Sequence, residues 1–292
     1  MKKITLMFSI ALLTMFWSAC EREIEIDIPN AGGDIVLEGS IEQGQKPIIF
    51  LTKSREFFDE FPTDFITFIN EFVIQNAEVT ISNGSVTETC NFVQDFSQYP
   101  FLYYTTTNMV GEIGKNYSVT IKVGDRELSA SSFLQTPIPL DSIFFRTNIF
   151  DVNEDSLGFL FARLSDPDTI GNAYRMFLKS PNGIAFASGG GLVFNDKFIN
   201  NTSFDFFTGR PDQPFINDTT NNSFFYKRGD TVYVKFCTIG VKESVFYETL
   251  QNSSQNNGNP FAAPIRVISN VKGGLGVFCA YGAAYDTLII TN

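Results

Sequence analysis

The residue with the clearest chemistry is Cys20. It follows Ser18 and Ala19, an apolar stretch over residues 4–17 and the pair Lys2-Lys3. A positive start, an apolar run and small residues before a cut are the parts of a secretory signal. A cysteine directly after the cut offers a thiol and, once freed, an amine, and both can carry acyl chains. Several chains on one residue give the stable anchoring that a single chain does not. The apolar stretch is shorter than the roughly 20 residues that a spanning helix needs. A signal peptide over residues 1–19 and a mature protein held to lipid through Cys20 are therefore expected, on the extracytoplasmic side.

Much of the remaining chemistry is excluded by composition. The chain has no histidine, which removes Ser-His-Asp and Cys-His catalysis and His-ligated zinc. Carboxylates are plentiful, and a pair of them can run glycoside hydrolysis, but no spacing in the sequence selects a pair. Residues 151–156 alternate oxygen ligands as a calcium loop does. Ser156, however, stands where the turn glycine belongs, and Ala162 where a bidentate glutamate belongs, so a turn between strands is expected. The glycine runs at 189–191 and 273–274 precede no helix carrying Lys-Ser or Lys-Thr and read as backbone turns. No enzyme, cofactor or metal is expected. The net charge of −11 becomes −13 once Lys2 and Lys3 leave with the signal, and such a chain repels polyphosphate, so no nucleic-acid partner is expected. Cys90, Cys237 and Cys279 cannot all pair within one chain. They are expected as small buried hydrophobes, with a Cys237–Cys279 disulfide as the alternative in an oxidising compartment.

Six phenylalanines stand out: Phe57, Phe58, Phe61, Phe65, Phe68 and Phe72, with Glu56, Asp59, Glu60 and Asp64 between them. They interrupt a series of strands with a connection far longer than the usual two to six or so residues. Such an insertion either docks a partner through its aromatic anchors or folds back as a small satellite core with a helical turn around residues 65–72.

The elements that must carry these residues are strands. Period-two alternation marks residues 35–41, 47–53, 86–93, 101–107, 116–123 and 126–134, and a further strand lies within the run 71–82, where Val79 and Ile81 alternate, with hairpin signals at Asn83-Gly84 and Gly124-Asp125. Seven short strands at this spacing predict an immunoglobulin-like β-sandwich over residues 34–136. The prolines of Thr136-Pro137-Ile138-Pro139 read as a linker. Residues 137–292 predict a second β-sandwich, jelly-roll-like, with strands at 141–150, 157–164, 173–180 and 231–239. Three more strands are predicted at 264–270, 274–281 and 286–291. One short helix is predicted at 242–252, where Val245, Phe246, Thr249 and Leu250 share a stripe. The fold class is all-β.

Residues 20–33 form a short acidic tether, with Glu21, Glu23, Glu25 and Asp27, which resembles the surface-export signal of Bacteroidota lipoproteins. A solvated linker is the other explanation. The start at Cys20, the segment Ile-Val-Leu-Glu-Gly-Ser-Ile at 35–41, the linker, and above all residues 247–278 resemble a Bacteroidota outer-membrane lipoprotein family known as domain of unknown function 4249. The resemblance implies an accessory or ligand-capture subunit of a TonB-dependent transporter, held in outer-membrane lipid and facing the cell surface. A structural or assembly component of the outer membrane and a carboxylate-based hydrolase are the alternatives. It implies no catalytic residues.

Overall fold

A computed structural model describes residues 33–55, 62, 64–147, 157–211, 224–256 and 265–291. Cys20, Phe57, Phe58, Phe61 and the loop 151–156 lie outside the described residues. Strand β1 (Ile35–Glu42) decides the arrangement of the first half. Ile35, Leu37 and Ile41 are buried on one face, while Val36, Glu38 and Ser40 occupy the other. β1 pairs antiparallel with β2 (Ile48–Lys53), and the sheet continues through β6 (Leu102–Thr105) to β5 (Asn91–Gln94). A second sheet, ordered β4 (Thr87–Thr89), β3 (Glu78–Ser82), β7 (Asn116–Val123) and β8 (Arg126–Phe133), packs on the apolar face. Leu37, Ile49, Val79, Tyr117, Ile121 and Leu128 fill the space between, each contributing about 1.5–3 kcal/mol by burial. Tyr117 also ties the chain: its hydroxyl donates to Val110 O at 3.1 Å and accepts from Glu112 N at 2.8 Å. Immunoglobulin-like sandwiches use a tyrosine in this way at a strand corner.

The second half repeats the scheme with other residues. β9 (Ser142–Thr147), β10 (Leu157–Ser165), β13 (Ser203–Thr208) and β14 (Tyr226–Lys227) make one sheet. β11 (Ala173–Lys179), β12 (Ala187–Asn195) and β15 (Thr231–Ile239) belong to the other. Leu160, Leu164, Tyr174, Met176, Val234 and Phe236 form the core, with the rings of Tyr174 and Phe236 stacked at 5.4 Å. The protein is thus an all-β sandwich structure that carries two α-helices among the described residues.

One strand belongs to both halves. β16 (Leu275–Ile289) runs parallel to β1 over residues 275–281 and antiparallel to β15 over residues 282–289. It joins the two larger sheets into one of eight strands, and residues 32–292 pack as one compact unit. The proline stretch at 136–139 is strapped alongside: Gln135 Nε2 donates to Ile239 O at 2.8 Å and Ile138 N to Thr238 Oγ1 at 3.0 Å.

Here the structure departs from the predicted strands. The segments predicted at 274–281 and 286–291 are not two strands but are bridged by one long strand, Leu275–Ile289, and residues 265–270 form none. The cause is Asn270, whose side-chain amide accepts from Phe278 N at 3.0 Å and donates to Phe278 O at 2.8 Å. One side chain satisfies the two backbone groups that a further strand would take. Gly276, at φ +102°, lies so close to β1 that a Cβ would sit 1.9 Å from Leu37 O, so only glycine fits. These contacts account for the distinctive run at 270–278.

The first helix, α1 (Phe65–Phe72), lies beside β2. The second, α2 (Val241–Asn256), extends the predicted 242–252 at both ends. It covers Ala173, Cys237, Val277, Cys279 and Tyr281, on the face of the large sheet turned away from the two sandwich cores.

Candidate functional site

α1 forms because its start is capped and one stripe is apolar. Asp64 Oδ1 accepts from Thr67 N at 2.8 Å, satisfying one of the first-turn N–H groups. That bond holds the Asp64 carboxyl below the usual carboxylate range. Phe68 and Phe72, one turn apart, stack at 5.9 Å. The helix ends where Val73 bridges to Thr52 and rejoins the sheet. The satellite-core expectation for residues 65–72 thus describes the backbone, yet Phe65 remains 39% exposed.

What faces α1 comes from a different part of the chain. Residues 95–101 make a loop closed at its base by Asp95 N donating to Phe101 O at 2.8 Å. The Asp95 carboxylate also accepts from Ser97 N and Oγ at 2.9 and 2.6 Å. Phe101 is its hub, with ring centroids 5.7 Å from Phe65, 5.9 Å from Phe96 and 6.0 Å from Tyr99. Between helix and loop lies a cavity of about 450 Å³, floored by Phe50 and walled by Phe65, Phe68, Tyr99, Pro100 and Phe101. That volume falls in the range of small-molecule sites. Among the described residues lining it, none is a lysine or arginine.

Glu38 stands next to this pocket. It is the cross-strand partner of Phe50, on the same sheet face. The residue is exposed to solvent at the surface of the sheet, beside the pocket and outside its lining. Burial raises its carboxyl above the usual range, against the opposing pull of the Arg175 charge. The Tyr99 phenol is raised by burial and by the Glu38 charge. Among the described residues, no hydrogen bond or ion pair reaches the Glu38 side chain.

Under α2 the same sheet face holds aromatic rings around the chain's own cations. The Arg175 guanidinium lies 3.5 Å from the Tyr247 ring centre and 4.5 Å from that of Phe177, and donates to Tyr281 Oη at 2.8 Å. Tyr247 and Tyr281 share a further hydrogen bond of 2.8 Å. Lys235 Nζ contacts Glu42 Oε2 at 2.6 Å and sits 5.2 and 5.3 Å over Phe177 and Tyr281, and the Tyr285 hydroxyl donates to the other Glu42 oxygen. A shallow depression of about 690 Å³ at Phe186, Tyr233 and Tyr285 is lined by Lys179, which sits over two of those rings.

Of the six phenylalanines singled out in the sequence, Phe65 and Phe68 line the pocket and Phe72 packs against Phe68. Sequence reasoning missed Glu38, Phe50, Tyr99 and Phe101. The dense Phe-Ser-Gln-Tyr-Pro-Phe run at 96–101 was the available signal for the last two. Among the described residues, no three His, Cys, Asp or Glu side chains group as metal ligands. Cys90, Cys237 and Cys279 are free buried thiols, and burial pushes Cys90 and Cys237 up to about 12.

Comparison with curated proteins found no match. A family described as Domain of unknown function (DUF4249) matches residues 21–286. That span takes in β1, the pocket, both helices and nearly all of β16, and the chain belongs to this family.

Proposed function

We propose that the protein is a lipid-anchored, non-enzymatic subunit that captures a small ligand for a TonB-dependent transporter at the outer-membrane surface. The observation that carries this reading is the aromatic pocket between α1 and residues 95–101. It is concave, its walls are mostly apolar, and Asp64, the one carboxylate among the described residues lining it, is already engaged in capping α1. Such walls suit binding more than bond making. The sequence around Cys20 supplies the anchor, because acyl chains on that residue would hold the pocket at a membrane surface.

Affinity isolation of the full-length protein from detergent-solubilised membranes, followed by mass spectrometry, tests the assignment. Recovery of a large outer-membrane transporter is expected, and Cys20→Ala should leave the membrane fraction. Recovery of outer-membrane assembly components in its place would favour the structural alternative and contradict the transporter role.

A further inference from the structure

We propose that the α1 pocket takes an organic cation, an ammonium or guanidinium group on an apolar body, with the body between Phe65, Phe68 and Phe101 and the charged head toward Glu38. This rests on the ligand-capture reading and names the ligand class for that pocket. The chain itself shows what this sheet face accommodates. Glu42 and Glu38 lie four residues apart on the same side of β1. Glu42 is met by Lys235, which sits over Phe177 and Tyr281, while Arg175 fills the space between Tyr247 and Phe177. Glu38 is the cross-strand neighbour of Phe50 in the pocket floor, and none of the described residues lining the pocket brings a cation. Arg175 reaches Glu38 through its field alone among the described residues. An aromatic face attracts a cation through its ring quadrupole, most strongly where water is excluded. A carboxylate at the edge of such a pocket adds a charge-assisted hydrogen bond. A neutral apolar ligand would gain nothing from that carboxylate, and an anion would be repelled by it.

Three probes with the same ring and chain length separate these cases: phenethylamine, 2-phenylethanol and 3-phenylpropionate. Each is titrated by calorimetry into the folded mature protein and into Glu38→Gln, with melting curves confirming that the variant is folded. Phenethylamine should bind about tenfold tighter than the alcohol, the propionate should bind weakest, and Glu38→Gln should lose most of the preference while leaving the alcohol unchanged. Equal affinity for amine and alcohol in the wild-type protein would overturn the cation assignment and leave the pocket standing as a neutral site. Binding of none of the three at millimolar concentration would overturn the pocket reading itself.

Discussion

Two carboxylates on one strand show how differently the same chemistry can be completed. Glu42 is buried, hydrogen-bonded by Tyr285 and paired at 2.6 Å with Lys235, whose ammonium sits over aromatic rings. Glu38, on the same face of β1, opens toward rings and solvent without a hydrogen bond or ion pair among the described residues. The aromatic groups beneath α2 close on cations that the chain supplies, and those beneath α1 leave a cavity. Under the proposed function, the fold satisfies its own charge in one place and leaves it open where a ligand would sit. The difference is measurable, because the closed region should matter for stability and the open one for ligands.

The largest effect is expected from breaking the closed pair. Glu42→Ala leaves the Lys235 ammonium largely buried without its partner, and the unfolding free energy from urea titration should fall by about 3–5 kcal/mol. A loss near zero would mean that water already screens the pair. Arg175→Ala should cost somewhat less, about 2–4 kcal/mol, through lost stacking on Tyr247 and Phe177 and lost bonding to Tyr281. By contrast Phe101→Ala, on the open side, should cost only about 1–2 kcal/mol while sharply weakening ligand binding. Were Phe101→Ala as destabilising as Arg175→Ala, the pocket would be core and not a site.

Glu38 gives a smaller effect of opposite sign. Its folded carboxyl titrates above the unfolded value, so its contribution to stability is complete below about pH 4.5 and is lost as pH rises through the folded pKa. Glu38→Gln should therefore melt higher than the wild-type protein at neutral pH, with the gap closing toward pH 4, in calorimetric scans at several pH values. A lower melting temperature at neutral pH would show that Arg175 outweighs burial. The smallest effect expected is no change at all: Cys237 and Cys279, packed in the closed region, should stay unreactive toward an aromatic disulfide reagent until the protein unfolds. Prompt labelling would show that the region beneath α2 opens.

The alternating strands were readable because each half-buried strand writes its two faces into the sequence. Tyr117, Val119 and Ile121 are all fully buried on β7, as their spacing predicts. The Asn83-Gly84 turn is where the β3–β4 hairpin closes, with Asn83 Oδ1 accepting from Ser85 N and Val86 N at 3.0 and 2.9 Å. The long-range features were not readable. β16 pairs with β1 across most of the chain, and no local pattern encodes that partner. The pocket unites β2, α1 and residues 99–102, so much of its wall carried no signal beyond a high aromatic content. Glu38 looked like any outward-facing residue of a strand, since alternation tells which face a residue occupies and not what stands over that face.

The most direct test is a map of amide shift changes by NMR as phenethylamine is titrated into the isotope-labelled mature protein. Perturbations should gather at Glu38, Phe50, Phe68 and Phe101 and leave Arg175, Tyr247 and Tyr281 unmoved. Shifts centred on Arg175 and Tyr247, or none in either region, would contradict the claim that one aromatic site is open and the other already filled.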